Sequence, residues 1–367
     1  MSGKPRVAVV FGGRSSEHAI SCLTAGSVIA AIDPEAYDVV PVGIARDGRW
    51  VLESGESDRL QIGSGGALPE VDATRPLIRL HQSGLVVNDA ADVPSELGDV
   101  DVVMPLLHGP FGEDGTLQGL LEMAGVRYVG AGVLSSAISM DKHYMKVVLQ
   151  SAGLPVLPHV LITPRGWTED PEACRESVRA LGFPVFVKPC RGGSSIGISR
   201  VDDESGLDAA VEAAREHDPR VLVEAGAGEG CRELECGVLE SLDGAPQASV
   251  VAEIVVAGDH AFYDFEAKYL PDQDTLASIP ADLPDDVADR VRAMALRTFA
   301  AVDAEGLARV DFFLQPDGTV VVNELNTMPG FTPTSMFPMV WKAAGIDYPA
   351  LVDRLLRLAL AREPGLR

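Results

Sequence analysis

The first third of the chain alternates short apolar runs with helix-like stretches. Residues 7–11 form a continuous apolar run, and a glycine pair at 12–13 separates it from a helical pattern over 16–31. A second apolar run covers 100–106 and is followed by a helical pattern over 116–124. Continuous apolar strands connected by helices are typical of a buried parallel sheet, so this segment is predicted to be Rossmann-like.

The other two thirds mix strand and helix patterns less regularly. A glycine-rich connector at 225–230 separates two groups of strands and is a candidate hinge. The strand patterns cover 156–162, 184–188, 196–201, 221–224, 233–239 and 250–256. The helix patterns cover 171–181, 203–216, 285–304, 335–344 and 348–361. The whole chain is therefore predicted to be α+β, with an α/β unit at its front.

A hairpin pattern late in the chain carries the strongest chemical signal. The Asp-Gly pair at 317–318 is typical of a two-residue turn between strands. If this pair closes the turn, Asp311 faces Glu324 across the hairpin. In the same register Arg309 faces Asn326, and strand alternation places all four side chains on one face.

Two carboxylates that face each other destabilise a sheet unless something compensates their charge. Mg²⁺ shared with phosphates needs only one or two carboxylates and a carboxamide, so Asp311, Glu324 and Asn326 are predicted to hold such a cation. Two alternatives remain open. The pair faces solvent, or Arg309 neutralises Asp311. Pro316 in the turn also offers a one-residue shift of the register.

A lysine at the end of an apolar strand precedes a glycine–serine loop. Lys188 ends the run at 184–188, and the loop spans 191–197. A lysine beside apolar surroundings favours an anionic partner, and the loop's N–H groups with the hydroxyls of Ser194 and Ser195 suit phosphate oxygens. The segment is neither a Walker A motif nor a G-x-G-x-x-G fingerprint. An ordinary hairpin is the alternative.

Three further residues suggest sites for small charged groups. Glu17 follows the first glycine pair, where it would repel a phosphate but attract an ammonium group, and a helix-capping acid is the alternative. Gly330 follows the predicted metal ligands and can offer its N–H to an oxyanion. Ser335 begins a helix, where it can bind a carboxylate or act as an N-cap.

Two segments leave their interpretation open. Aromatic and charged residues alternate over 262–269, which predicts either a lid that brings Lys268 to an anion or an ordinary edge strand. His108 lies in a glycine-rich loop and is as well explained by a structural role as by a catalytic one. No H-E-x-x-H metal motif occurs.

Composition and charge narrow the class of protein. The chain has 367 residues, a formal net charge of −24 and 46% hydrophobic residues. This content predicts a folded protein, and the acidity argues against nucleic-acid or anionic-membrane partners. Five scattered cysteines without a C-x-x-C pair predict reduced thiols. Without a signal peptide or an apolar run of about 20 residues, the chain is predicted to be soluble and cytoplasmic.

Taken together, these segments resemble the D-alanine:D-alanine ligases of the ATP-grasp superfamily. The resemblance covers almost the whole chain and keeps the family's order of motifs. The motifs are VFGGRSSE at 10–17, LHGPFGEDGT at 107–116, SMDK at 139–142, VKP at 187–189, GSSIG at 193–197, YDFEAKY at 263–269, RVD at 309–311 and NELNTMPGFT at 323–332.

The resemblance implies an ATP-grasp fold of three domains, at 1–141, 142–224 and 225–367. ATP would lie between the second and third domains with two Mg²⁺ ions, which Mn²⁺ can replace. The implied reaction joins two D-alanine molecules through a D-alanyl phosphate, for peptidoglycan precursors. A cytoplasmic homodimer formed through the first domain is also implied, without nucleic-acid or membrane partners.

The resemblance also implies roles for individual residues. The implied ATP contacts are Lys142, Lys188, Ser194, Ser195, Glu224, Ala225, Lys268, Asn323 and Glu324. The implied metal ligands are Asp311, Glu324 and Asn326. The implied catalytic residues are Glu17, His108, Ser194, Tyr269, Arg309 and Gly330, and the implied D-alanine contacts are Glu17, Arg309 and Ser335.

Three other functions compete with this interpretation. They are a ligase that accepts D-lactate or D-serine, a nucleotide-binding module without turnover, and an NAD-dependent enzyme. In the family, tyrosine at the position of Tyr269 accompanies dipeptide formation. The missing dinucleotide fingerprint and Glu17 count against NAD. The connector after Glu224 is longer than the family's usual one, which leaves the adenine contacts open.

Overall fold

The computed structural model describes residues 3–63, 66–81, 84–88, 94–256 and 275–365. Within these ranges, three sheets follow one another along the chain. The first sheet has eight strands in the order β6-β5-β4-β3-β2-β1-β7-β8. Its strands are β1 (Arg6–Gly12), β2 (Asp38–Ile44), β3 (Trp50–Leu52), β4 (Leu77–His81), β5 (Gly84–Asn88), β6 (Pro94–Asp99), β7 (Val102–Pro105) and β8 (Arg127–Tyr128).

The predicted Rossmann-like centre of this sheet is confirmed. Strand β1 pairs in parallel with β2 and β7, and β7 pairs in parallel with β8. The strands β2 to β6 were not predicted. Pro41 and Gly43 interrupt the apolar run of β2, and such residues are uncommon inside strands. Strands β3 to β6 extend the sheet by antiparallel pairing, which the front α/β pattern does not indicate.

Two antiparallel sheets contain the remaining strands of the described ranges. The second sheet has the order β11-β10-β12-β9 and the third has the order β15-β14-β13-β16-β17. The second consists of β9 (His159–Ile162), β10 (Val185–Pro189), β11 (Ser199–Val201) and β12 (Val221–Ala225). The third consists of β13 (Arg232–Leu239), β14 (Gln247–Val256), β15 (Thr275–Ser278), β16 (Leu307–Leu314) and β17 (Val320–Asn326).

Helices connect and cover these sheets. In chain order the α-helices are α1 (His18–Ala31), α2 (Thr116–Ala124), α3 (Val133–Met140), α4 (Lys142–Ser151), α5 (Pro164–Glu169), α6 (Pro171–Arg179), α7 (Leu207–Arg215), α8 (Asp285–Ala301), α9 (Met336–Ala343) and α10 (Tyr348–Ala361). Within the part of the chain that the structure describes, every helix is too short or too polar to cross a bilayer.

Local signals account for the helix ends that were predicted correctly. Helix α2 ends at Gly125, whose φ of 67° suits glycine and whose N–H bonds to the last turn. Helix α10 begins after Asp347, which accepts the N–H of Ala350, and Pro349 occupies the first turn. The helix predicted over 203–216 begins later, at Leu207, because a 3₁₀ turn precedes it.

The β16–β17 hairpin differs from its predicted turn. Leu314 pairs with Val320, so the turn is longer than the Asp-Gly pair at 317–318 and the two-residue turn prediction is wrong. A bulge after Asp311 then shifts the register by one residue. Because of this bulge, Asp311 still pairs with Glu324 as predicted.

The last helix packs against the first sheet. One core cluster contains Val7 and Phe11 of β1 together with Leu351 and Leu355 of α10, all fully buried. The Tyr37 hydroxyl donates to Asp353 Oδ1 across the same contact at 2.7 Å. The two ends of the chain therefore share one hydrophobic core.

Candidate functional site

A cavity of about 660 Å³ lies between the second and third sheets. Lys188 on β10 and Glu224 on β12 line it from the second sheet, while Asp311 on β16 and Glu324 on β17 line it from the third. The glycine–serine loop 192–196 also contributes to its wall. The predicted lysine, loop and carboxylates, which are far apart in sequence, thus meet in one place.

Two lysines hold the buried carboxylate of Glu224. Lys188 Nζ lies 2.6 Å from Glu224 Oε2 and Lys146 Nζ lies 2.5 Å from Glu224 Oε1. Burial by itself raises the pKa of Glu224, but the two ammonium groups outweigh it and lower that pKa to about 2. Burial lowers the pKa of Lys188, and Glu224 reverses this shift, so that the net pKa is raised.

Lys146 is a site residue that sequence reasoning missed. It is 1% exposed, and its Nζ also donates to the Asn323 carbonyl at 3.2 Å. It therefore connects Glu224 with the strand that carries Glu324. The available signal was its spacing of four residues from Lys142, which places both lysines on one face of α4.

Lys142 joins the glycine–serine loop to the third sheet. Its Nζ donates to the Gly192 carbonyl at 2.8 Å and lies 3.5 Å from Glu324 Oε2. Helix α4 starts at this lysine because Asp141 caps it through the N–H groups of His143 and Tyr144. The cap thus fixes where Lys142 leaves the backbone.

Three carboxylates form a row across neighbouring strands of the third sheet. Glu235 on β13 pairs with Asp311, which in turn pairs with Glu324. Arg309 makes a bidentate contact with Asp311 at 2.7 Å for both bonds, and its Nε lies 3.0 Å from Glu235 Oε2. The second alternative from the sequence, in which Arg309 neutralises Asp311, is therefore present. Glu235 was missed because its pairing partner, Asp311, lies on a strand that is distant in the sequence.

The donors at the end of this row fit a hard divalent cation. Asp311, Glu324 and Asn326 offer only oxygen atoms as ligands, as Mg²⁺ prefers, and Asn326 Nδ2 donates to Asp311 Oδ2 at 3.2 Å. Among the residues that the structure describes, no group of three or more His, Cys, Asp and Glu is arranged to hold a metal. Two acids and an amide leave positions for phosphate oxygens and water.

Glu17 contacts the glycine–serine loop. Ser194 Oγ donates to Glu17 Oε1 at 2.5 Å, and a Cβ on Gly193 would lie 3.0 Å from Glu17 Oε2. Helix α1 begins at His18, and among the described residues the Glu17 side chain makes no capping bond to it. The capping alternative is therefore wrong. Ser194 and Ser195 both have positive φ, at 49° and 57°, a strained conformation that suits a ligand-binding loop.

Ser335 and His108 are held by neighbouring loops. Ser335 precedes α9, but its Oγ accepts the Thr332 N–H at 3.1 Å, and within the described chain it makes no side-chain bond to the helix. The N-cap alternative is therefore wrong. His108 Nδ1 lies 3.1 Å from the Met328 carbonyl, two residues before Gly330. Burial lowers the pKa of His108, which favours the neutral ring.

The predicted lid falls outside the described residues. The whole 262–269 segment, which includes Lys268 and Tyr269, is outside the ranges that the structure describes. Ala225 ends β12, and it lines the cavity together with Gly226 and Ala227 of the longer connector.

Two family models match this chain, one over its N-terminal third and one over most of the remainder. A model described as "D-ala D-ala ligase N-terminus" matches residues 6–131, and one described as "D-ala D-ala ligase C-terminus" matches residues 148–357. The D-alanine--D-alanine ligase of Arthrobacter sp. (strain FB24) is 57% identical over 370 residues, covering 99% of this chain and 96% of the relative. That of Kineococcus radiotolerans is 57% identical over 376 residues and covers 99% of each.

Solved structures of similar proteins have the same architecture. The VanG D-Ala:D-Ser ligase from Enterococcus faecalis has a TM-score of 0.82 at 33% identity, covering 97% of this chain and 100% of its own. The D-alanine-D-alanine ligase from Coxiella burnetii has a TM-score of 0.79 at 33% identity, covering 98% of this chain and 94% of its own.

Proposed function

The chain belongs to the D-alanine–D-alanine ligase family of the ATP-grasp fold, and we propose that the cavity between its second and third sheets is where it works. The protein ligates two D-alanine molecules at the expense of ATP, for peptidoglycan synthesis, and uses a divalent metal. The observation that carries the site is the facing pair of Asp311 and Glu324 beside Lys142 and Lys188 in one cavity.

ATP is proposed to lie along the cavity with its phosphates at the lysines. Lys142 and Lys188 supply positive charge near the glycine–serine loop, and Ser194 and Ser195 supply hydroxyl and N–H donors. The adenine and ribose end is assigned to Glu224 and the connector after it, beginning at Ala225. Asn323, which also lines the cavity, is assigned to the nucleotide as well. Lys268 is assigned to the γ-phosphate from the 262–269 segment.

The metal site is assigned to Asp311, Glu324 and Asn326. We propose two Mg²⁺ ions here, which Mn²⁺ can replace, because oxygen ligands on one sheet face suit both. Such ions neutralise charge on transferring phosphates. The carboxylates and Arg309 hold one another in place, so the donor set is organised before any nucleotide arrives.

The first chemical step is proposed to activate one D-alanine. Its ammonium group is assigned to Glu17, whose carboxylate is oriented by Ser194. Its carboxylate then attacks the γ-phosphate in line, which gives D-alanyl phosphate and ADP. Positioning supplies much of the catalysis in such a transfer.

The second step forms the peptide bond. The carboxylate of the second D-alanine is assigned to Ser335, and its free amine attacks the acyl carbon. Arg309 and the Gly330 N–H are assigned to the negative charge that develops on the acyl oxygen. Phosphate leaves as the bond forms. Tyr269 and the rest of the lid are assigned to the exclusion of water, which would hydrolyse the acyl phosphate.

The domain limits and assembly are also proposed. Boundaries at 1–141, 142–224 and 225–367 are supported by the succession of three sheets. We propose a cytoplasmic location and a homodimer formed through the first domain, and apolar side chains left exposed on the contacting helices α2 and α3 support the homodimer. These side chains are Leu120 at 44%, Met123 at 91% and Leu134 at 57% exposure.

ADP release from Mg·ATP tests the proposed site. Parallel reactions contain no amino acid, D-alanine, D-alanine with D-serine, or D-alanine with D-lactate, and the products are identified by mass spectrometry. We expect D-alanine-dependent ADP release with D-alanyl-D-alanine as the product. Lys188→Met should raise the KM for ATP strongly, whereas unchanged kinetics would remove the cavity from the reaction.

A further inference from the structure

The loop between β7 and α2 holds both peptide groups of Met328. His108 Nδ1 donates to the Met328 carbonyl at 3.1 Å, and Glu113 Oε1 accepts the Met328 N–H at 3.2 Å. Because a carbonyl can only accept, the His108 ring carries its proton on Nδ1. One loop of the first sheet thus fixes one residue of the segment that follows β17.

The loop that makes this contact is itself held rigidly. Glu113 Oε2 accepts the Gly109 N–H at 2.7 Å, so both oxygens of this carboxyl are used. The Ser15 hydroxyl donates to the His108 carbonyl at 2.8 Å, and the Gln118 amide donates to the Gly112 carbonyl at 2.8 Å. The loop after β7 therefore helps to set the position of Met328, which lies two residues beyond the end of β17.

The same loop also packs against Glu17. A Cβ on Gly109 would lie 2.6 Å from Glu17 Oε2, and Gly109 has a φ of +73°. Only glycine fits this approach without a shift. The loop thereby touches the residue assigned to the first D-alanine and, through Met328, the segment assigned to the second step.

We propose that Glu113 and His108 are positioning residues that fix residues 326–330 relative to Glu17, so that the Gly330 N–H is aimed at the reacting acyl group. Met328 lies two residues from Asn326 and two from Gly330, so a change in its peptide orientation reaches both. This assignment rests on the proposed function of Glu17, Asn326 and Gly330.

A proton-transfer role is the competing explanation for His108. Among the residues that the structure describes, His108 Nε2 has no hydrogen-bond partner. If Nε2 carried a proton in the reaction, asparagine would not replace histidine. If Nδ1 only holds Met328, an asparagine amide can donate the same hydrogen bond.

Four variants of the full chain separate these roles. Glu113→Leu and His108→Leu remove the contacts, whereas Glu113→Gln keeps one acceptor and His108→Asn keeps the donor. We expect both Leu variants to lower kcat by about tenfold or more with the KM for ATP within about twofold of the parent. The Gln and Asn variants should recover most of the loss. The double Leu variant should lose less than the product of the single losses, because both side chains hold one residue.

Glu122→Gln is the matched control, because Glu122 lies on the adjoining helix α2 and its carboxylate accepts the Tyr128 hydroxyl at 2.8 Å, which glutamine can also do. Its kcat should equal that of the parent. Melting temperatures of all variants show whether a loss of kcat follows a loss of stability.

Deuterium uptake by peptides covering 326–331 provides a readout that needs no turnover. We expect faster uptake in Glu113→Gln and Glu113→Leu than in the parent and in Glu122→Gln. Unchanged uptake, or unchanged kcat in both Leu variants, would overturn the proposal. His108→Asn as inactive as His108→Leu would assign His108 to proton transfer instead. If the Leu variants do not fold, uptake at 326–331 in Glu113→Gln decides, and uptake equal to that of the parent overturns the proposal.

Failure of the proposed function would look different. In that case the parent protein itself would show no D-alanine-dependent ADP release, while the uptake at 326–331 would still report whether Glu113 holds Met328.

Discussion

Two buried carboxyl groups, those of Glu224 and Glu113, have very different electrostatic surroundings. Two ammonium groups hold the pKa of Glu224 at about 2. Burial, with a smaller contribution from Glu17, raises the pKa of Glu113 to about 8. The surroundings of each acid thus determine its pKa. A substitution of Glu224 and one of Glu113 should therefore have different effects on stability and activity.

Removal of Glu324 should abolish turnover but leave the fold intact. Its side chain is only half-buried, and it contacts Lys142 rather than the core. We expect Glu324→Ala to lower kcat by about a hundredfold or more, the scale for loss of one group that stabilises transition-state charge. ADP release and thermal melting measure the two effects. Glu176→Ala on the exposed face of α6 is the control, and near-normal activity in Glu324→Ala would refute the metal assignment.

Neutralising Glu224 should destabilise the protein in a pH-dependent manner. Glu224→Gln leaves Lys146 and Lys188 buried without a counter-charge, which typically costs about 3–5 kcal/mol. Because the pKa of Glu224 is lowered from 4.5 to about 2, its stabilising charge is fully present above about pH 4.5 and is lost as the pH falls towards 2.

The difference in melting temperature between parent and Glu224→Gln should therefore be constant above pH 5 and shrink below it. Scanning calorimetry across this range measures it, with Glu176→Gln as the exposed control. A difference that does not change with pH would contradict the ion-pair account.

Loops and irregular positions at the ends of helices and strands bring the residues of the site together. The glycine–serine loop after β10 meets Glu17 before α1, and the bulge in β16 restores the register that places Asp311 opposite Glu324. Neither contact belongs to the regular part of an element. Small changes of backbone shape in these loops should therefore affect substrate binding before they affect stability.

A methyl group in the glycine–serine loop should weaken D-alanine binding. In Gly193→Ala the new Cβ would lie 3.0 Å from Glu17 Oε2, so the carboxylate has to move. We expect the KM for D-alanine to rise several-fold with little change in melting temperature. Initial-rate kinetics measure this. Gly119→Ala is the matched control, because no atom lies within 4 Å of its Cβ, and equal kinetics in both variants would contradict the contact.

The whole molecule is held together by the packing of its last helix on its first sheet. Leu355 of α10 is fully buried in the cluster that contains β1 residues. Arg127 Nε also donates to the Arg362 carbonyl at 2.7 Å just beyond the helix. This contact joins the first sheet, whose first strand leads to Glu17, to the C-terminal helix.

Truncation of a core leucine on α10 should destabilise the entire protein. We expect Leu355→Ala to reduce the free energy of unfolding by about 2–5 kcal/mol, the range for buried leucines. Urea denaturation followed by fluorescence and by far-UV circular dichroism measures it. Arg357→Ala, at an exposed position of the same helix, should change little. If the two probes disagree only in Leu355→Ala, the first sheet unfolds separately and the shared-core account fails.

The sequence by itself determined the elements and pairings that depend on local chemistry. Gly125 and Asp347 mark helix ends, because caps are formed by neighbours in the chain. The Asp-Gly signal indicated the hairpin, but its exact register was not determined locally, because Asp311 pairs with Glu324 only through the bulge. The motifs between VFGGRSSE at 10–17 and NELNTMPGFT at 323–332 also indicate the family.

Only the tertiary structure decided contacts between residues that are distant in sequence. The buried pair of Lys146 with Glu224 and the contact of Glu113 with Met328 each join separate elements. The bulge after Asp311 depends on how β16 fits between two neighbours. Such contacts arise from the packing of whole sheets and loops. Local propensity depends on neighbours in the sequence, so it does not indicate which distant residue will be the partner.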